Sequence, residues 1–214
     1  VHLVPVIIDV DDIYKPEIKR TKHFVYTGPL LQKKDGIITI IKSFKNIAAE
    51  FPETNLYLTG ELNLSSDKDK IEAEITEDIK DRIFFKGFIS RTEMIELINS
   101  AVGLLLAKPS SDQADTCFPT KLGEYLATGN PIVITMTGEV SYYLADGESA
   151  FIADPDSVES YTEKLRLLLK YPDKAYKIGI EGQNVARKSF NYQEISAGVI
   201  DLIKNKEKFI KEKY

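Results

Sequence analysis

A single carboxylate, Glu124, sits inside a short helical pattern that opens near Pro119 and Thr120 and stops at Gly129. Pro119 has no N–H and a fixed φ, so it suits the first helical position. Leu122, Tyr125 and Leu126 are spaced by three and four and form one apolar face. Gly129 ends the helix, and Pro131-Ile-Val-Ile opens an apolar strand. A helix N-terminus offers unpaired backbone N–H groups and the positive end of its dipole, so it holds anions. The Thr120 N–H and hydroxyl are phosphate donors in such a layout, and Glu124 accepts from the paired hydroxyls of a ribose. The competing readings are a plain helix cap for Thr120 and an exposed helix carboxylate for Glu124. Lys121, on the same helix, reads as pointing to solvent or, in the alternative, as a further phosphate contact.

These residues need a frame, and the rest of the chain supplies one. Phe24–Gly28, Asn55–Gly60, Arg82–Gly87, Val102–Ala107, Ile132–Thr135 and Ala150–Ala153 read as six short apolar strands. Helical patterns lie between them. Ile37 to Phe51 has helical spacing, and Ser90-Arg-Thr-Glu93 is a capping box. Asp67 to Lys80 reads as one exposed helix with a stripe at Ile71, Ile75 and Ile79. From Ser157 on, three more helices follow. Apolar strands alternating with helices predict an α/β, Rossmann-like parallel sheet of about six strands with helices on both faces. In such a sheet ligands bind beyond the carboxyl ends of the strands. The loops there begin at Gly28, Gly60, Gly87 and Lys108. Lys33 and Lys34 lie in the first of them, as a solvated helix opening. Phe88 in the third is a stacking wall for a base or an ordinary packing aromatic. Arg91 reads as surface.

Composition removes several classes of function. The 214 residues carry a net charge of −5, which argues against a general nucleic-acid binder. Cys117 is the one cysteine, so no intrachain disulfide framework exists. No catalytic partner for Cys117 as a nucleophile lies near it in sequence, since the two histidines are His2 and His23. No Cys/His cluster suggests a metal, and Asp9-Val-Asp-Asp12 lacks the Gly and Glu of a calcium loop. No Gly-x-Gly occurs, so a redox dinucleotide fingerprint cannot form. No apolar run approaches the ~18 residues of a spanning helix.

The segment Glu124 to Ile132, with Ala127-Thr-Gly129-Asn-Pro131-Ile, resembles the donor-site motif of retaining, family 4 (group 1) GT-B glycosyltransferases. That motif has a first Glu eight positions before the second, and here the position is Thr116, with Asp115 the nearest carboxylate. Gly28 to Gly36 is similar to the family's Gly-Arg-Leu…Lys-Gly segment, with Lys34 at the place of the diphosphate-reaching Lys and Pro29 in place of the Arg. Gly87-Phe88-Ile89 resembles the segment that borders the nucleobase. Cys117-Phe118-Pro119-Thr120 takes the place of the segment whose amides face sugar and phosphate. The first 21 residues, with Val4-Pro-Val and Tyr14-Lys-Pro16, resemble an interdomain linker.

The resemblance implies that residues 22–214 form the donor-binding half of a GT-B fold, after a linker remnant at 1–21. It implies a transferase moving a sugar with retention from a UDP- or GDP-sugar to an acceptor hydroxyl. It assigns Lys34 and Glu124 to catalysis, and Gly28, Lys34, Gly87, Phe88, Cys117, Phe118, Pro119, Thr120 and Glu124 to the nucleotide-sugar. It implies no permanently bound cofactor and no metal. The acceptor, a glycan or lipid-linked chain, would be held by an N-terminal domain absent from this chain, so the isolated domain is expected to be inactive. The expected location is cytoplasmic, peripheral at the inner membrane face for the full-length enzyme. Two other readings keep the fold: a nucleotide-sugar 2-epimerase, and a non-catalytic binding module motivated by Thr116.

Overall fold

The computed structural model describes residues 6–116 and 118–211, with side chains described for these except 202 and 205–211. Six strands form one sheet: β1 His23–Tyr26, β2 Asn55–Leu58, β3 Ile83–Phe85, β4 Gly103–Leu106, β5 Ile132–Thr135 and β6 Phe151–Ala153. All neighbours pair in parallel, in the order β3-β2-β1-β4-β5-β6. Each strand coincides with an apolar run in the sequence.

The helices are α1 Val10–Ile13, α2 Gln32–Asp35, α3 Ile37–Ala48, α4 Lys68–Glu74, α5 Arg91–Asn99, α6 Asp112–Thr116, α7 Thr120–Ala127, α8 Val140–Tyr143, α9 Val158–Lys170, α10 Pro172–Ser189 and α11 Tyr192–Lys211. They cover both faces of the sheet. Phe24, Tyr26, Leu105 and Val133 face α3, α4 and α9, in a core built around Ile40, Phe44, Tyr161 and Leu165. Val25, Leu104, Leu106 and Ile134 face the other way, towards α1, α5 and α7, around Ile98, Leu122, Tyr125 and Phe190. The period-two alternation of strand side chains splits the apolar residues between these two cores.

Three local expectations are corrected. The pattern from Asp67 to Lys80 is not one helix: α4 ends at Glu74, and Ile75 is extended at φ −86° and ψ 95°. The Ile79 and Lys80 N–H groups then donate to the Thr76 carbonyl and close a separate turn. Ile71 and Ile79 are both fully buried, so the stripe is real although the helix is interrupted. The segment from Lys108, expected as loop, contains α6, whose start is fixed by Ser111: its Oγ accepts from Ala114 N–H (3.1 Å). Pro119, at φ −72° and ψ 107°, precedes α7 instead of occupying its first position.

The described part of the first 21 residues packs onto the sheet's helical layer. Asp9 caps α1 by accepting from the Asp11 and Asp12 N–H groups (both 3.1 Å). Val10 and Ile13 are buried in the core shared with α7. Ile8 exchanges backbone hydrogen bonds with Phe190 and Tyr192, each at 2.9 Å. The Val4-Pro5 part of the linker-like segment and Cys117 lie outside the described residues.

Candidate functional site

The chain runs outward from β1 through β2 to β3, then returns to the middle of the sheet and runs the other way from β4 to β6. Its loops therefore diverge on either side of the β1–β4 pair, which opens a crevice beyond the strand ends. A cavity of about 530 Å³ lies there, built from the loops after β1, β2 and β3 and from one face of α7. That is the size of a small-molecule site, roughly 300–1,000 Å³.

Backbone geometry shapes its floor. Gly28 N–H donates to Thr59 Oγ1 (2.9 Å), and Gly60 N–H donates to the Gly87 carbonyl (2.8 Å). A Cβ on Gly60 would stand 2.3 Å from the Gly28 carbonyl oxygen, so these two loops pack backbone on backbone. The Tyr125 hydroxyl of α7 accepts from Thr27 N–H at 2.7 Å and ties the helix to the end of β1. Tyr26 donates its hydroxyl to the Pro29 carbonyl at 2.6 Å. Burial pushes the Tyr26 and Tyr125 phenols far up, so both remain neutral hydroxyls.

Gly28, Gly87, Phe88 and Glu124 of the residues expected to bind a nucleotide-sugar meet in this cavity. Glu124 projects from α7 with 27% of its side chain exposed. Phe88 stands at the rim, 79% exposed, with an open ring face. The structure leaves others off the cavity wall. Lys34 is exposed on α2 and does not line the cavity. Phe118 packs edge-on against Tyr143 and tilted against Phe190, at ring-centroid distances of 5.4 and 5.3 Å. Pro119 is buried and Thr120, the first residue of α7, is exposed; neither borders the cavity. Thr116 donates its hydroxyl to the Asp112 carbonyl within α6 (2.8 Å), and the Asp115 carboxylate accepts from Gly138 N–H (3.4 Å). Both are engaged away from the cavity lining.

Two residues expected on the surface belong to the site. Arg91 donates to Glu124 at 3.4 Å and to Asp12 at 2.9 Å. The hydrogen bond to Asp12, and then that to Glu124, hold its guanidinium more firmly charged. Lys121 turns inward, its Nζ 3.3 Å from Asp35 Oδ1 and 3.2 Å from the Tyr26 hydroxyl. Burial pulls its pKa down, and the Asp35 carboxylate opposes that shift. The Arg91 signal was readable in part, because the capping box fixes where α5 begins. For Lys121 the helix position left a phosphate role open, but the inward turn was not readable, since its partners are 86 and 95 residues away. Among the described residues no group of three or more His, Cys, Asp or Glu side chains is placed to hold a metal ion. Likewise, no described helix is long and apolar enough to cross a membrane.

The strand order, the crevice at the reversal point and the carboxylate on its wall define a Rossmann-like domain of the kind that forms half of a GT-B fold. Residues 11–185 match the family model of glycosyl transferases, group 1, and the chain belongs to that family. It is 22% identical over 182 residues to the mannosylfructose-phosphate synthase of Agrobacterium fabrum, covering 82% of this chain and 39% of that protein. The chain thus spans about two-fifths of that curated relative's length. It superposes on the C-terminal domain of a group 1 glycosyl transferase (LpcC) from Francisella tularensis with a TM-score of 0.69. That match has 17% identity and covers 86% of this chain and 99% of the other. Anabaena Alr3699/HepE, solved in complex with UDP, gives a TM-score of 0.78 at 15% identity, over 93% of this chain and 56% of that one.

Proposed function

We propose that this chain is the donor-binding half of a glycosyltransferase that transfers a sugar with retention from a nucleotide-diphosphate sugar to an acceptor hydroxyl. The observation that carries the reading is Glu124. It is a carboxylate on α7, facing a cavity whose other walls are the glycine-edged loops after β1, β2 and β3 and the start of α5. Glu124 accepts the ribose hydroxyls. The Gly28 loop lets a backbone approach the phosphates, and Phe88 offers its ring to the base. Lys34, exposed beside the cavity, adds positive potential there. The HepE complex with UDP supports a uridine nucleotide, and GDP-sugars remain within the same chemistry. No permanent cofactor is part of the reading. Acceptor recognition, of a glycan or lipid-linked chain, belongs to the other half of the GT-B pair. Residues 1–21 act as the connection to it, so the chain by itself binds donor and transfers nothing. A cytoplasmic site of action, peripheral to the inner membrane face, fits a glycan-building enzyme of this class.

Calorimetric titration of the chain with UDP, GDP and ADP tests the reading. Heat with UDP or GDP is expected at millimolar ligand, and no heat with any of the three would refute it. Glu124→Ala is expected to weaken nucleotide affinity by about 1–3 kcal/mol, the range for hydrogen bonds to a charged acceptor. An unchanged affinity removes Glu124 from the ribose role.

A second reading has one specific observation behind it. Thr116 stands where the resembling motif carries its first Glu, and it spends its hydroxyl on its own helix. A donor domain that binds nucleotide-sugar without transferring from it follows from that loss. Transfer by a full-length enzyme containing this chain excludes it.

A further inference from the structure

The inner wall of the cavity holds a charged group that helical patterning places in solvent. Lys121 lines the cavity with 22% of its side chain exposed, and Asp35 beneath it is 3% exposed and does not line it. The ammonium therefore stands between a buried carboxylate and the open space. We propose that Lys121, rather than Lys34, is the cation that receives the diphosphate of the bound nucleotide, with Asp35 as the residue that positions it. This rests on the nucleotide-sugar reading above.

The geometry accounts for each part of the role. An ammonium has three N–H donors. One reaches Asp35 Oδ1 (3.3 Å) and one reaches the Tyr26 hydroxyl (3.2 Å), which leaves the third for a ligand. The Tyr26 ring lies under the same ammonium, 4.5 Å from Nζ to its centroid. These partners hold a long, flexible side chain in one place, so little of its entropy is lost when a ligand arrives. A Cβ on Gly28 would lie 2.4 Å from Nζ, so the charge rests directly against the backbone at the reversal point of the sheet.

Although the lining also carries the carboxylates of Glu61 and Glu124, the potential at the Lys121 end of the cavity favours an anion. The Lys121–Asp35 pair is neutral as a unit. Lys121 is the second residue of α7, so the positive end of that helix dipole adds to its field. Lys34 and Lys108 contribute further positive potential at the Lys121 ammonium. Arg91, the other cation on the wall, is committed at the rim to Asp12 and Glu124. Asp35 Oδ2 has no hydrogen-bond partner among the described residues, so Lys121 is what compensates this buried carboxylate.

Ligand-observed NMR titrations with UDP and GDP, and with uridine and guanosine as phosphate-free probes, test the proposal. Lys121→Met is expected to weaken diphosphate binding by about tenfold or more, the worth of one charge-assisted hydrogen bond. It should leave nucleoside binding unchanged. Lys34→Ala is expected to lose less than Lys121→Met. Because Lys121→Met strands the Asp35 charge and can unfold the chain, the double variant Asp35→Asn/Lys121→Met is measured beside it and should show the same selective loss. Retained diphosphate affinity in the variants, with Glu124→Ala still weakened, overturns the Lys121 role and leaves the nucleotide reading standing. Equal loss of diphosphate and nucleoside binding also overturns it, because that pattern marks a structural residue. Absence of UDP and GDP binding by the unaltered chain overturns the nucleotide reading and this inference together.

Discussion

Gly36→Ala should lower the stability of this chain by about 4 kcal/mol or more, a loss confined to a few named mechanisms such as strain at a special φ/ψ. Gly36 joins α2 to α3 at φ +66°, and a Cβ there would stand 1.8 Å from the Ala107 carbonyl oxygen. The left-handed backbone alone costs an alanine roughly 1–2 kcal/mol. The clash is the larger part, because the atom in the way is backbone. Either α3 lifts from the sheet or the end of β4 shifts, and α3 carries Ile40, Ile41 and Phe44, all fully buried. Gly147→Ala is the control, since Gly147 shares a positive φ (+72°) but has nothing within 4 Å of its would-be Cβ. It should lose only the backbone part. Denaturant unfolding of both variants, read as midpoint and slope, decides the matter. A Gly36→Ala cost no larger than that of Gly147→Ala would show that the α2–α3 corner yields freely. The same corner holds Asp35, so the damage should extend to the Lys121 position.

The second large effect is expected at Arg82. Its guanidinium donates to three backbone carbonyls: Ala48 (2.8 Å), Phe51 (2.7 Å) and Thr54 (2.9 and 2.6 Å). It also lies over the Phe44 ring at 5.3 Å. One side chain thereby bonds the carbonyls at the end of α3 and along the turn into β2, of which Phe51 also accepts from the Thr54 N–H (3.1 Å). Arg82→Ala should cost about 3 kcal/mol, as hydrogen bonds from a charged donor are lost and the Ala48 and Thr54 carbonyls lose that donor. Arg82→Lys should recover less than half, because an ammonium cannot reproduce the planar fork. Thermal unfolding of the two variants checks this ordering. A loss below about 1 kcal/mol for Arg82→Ala would mean that water replaces the guanidinium at all three carbonyls.

Much of the architecture was legible because the six strands are apolar on both faces and most end in glycine or a polar turn. Val102 to Ala107 could be little else. The misreadings share a cause. Ile71, Ile75 and Ile79 keep helical spacing across a break, because burial selects the isoleucines and the spacing alone does not report the extended backbone at Ile75. The Ser-Asp composition before Cys117 suits a loop and a capped short helix equally, and the Ser111 hydroxyl decided for the helix.

In the site, glycines and Glu124 were readable because local sequence determines where they fall. Lys121 was not, because its inward turn depends on Asp35 and Tyr26, far away in the chain. Phe118 shows the reverse: an aromatic next to the motif, claimed by the distant Tyr143 and Phe190.

The placing of β1 has a consequence for how the chain folds. β1 is flanked by β2, its next strand in sequence, and by β4, reached only after β2, β3 and the helices between them. The first pairing closes a short loop and the second a long one, so the entropic cost of closure falls on the β1–β4 contact. The crevice opens beside the line where those two strands meet, beyond the ends of β1, β2 and β3. The half formed by β1 to β3 can gather its own apolar face from neighbours in sequence. The recess between the halves is bounded at its centre by the strand pairing of highest sequence separation in the sheet, so the ligand site is assembled at the expense of the slowest pairing the sheet makes.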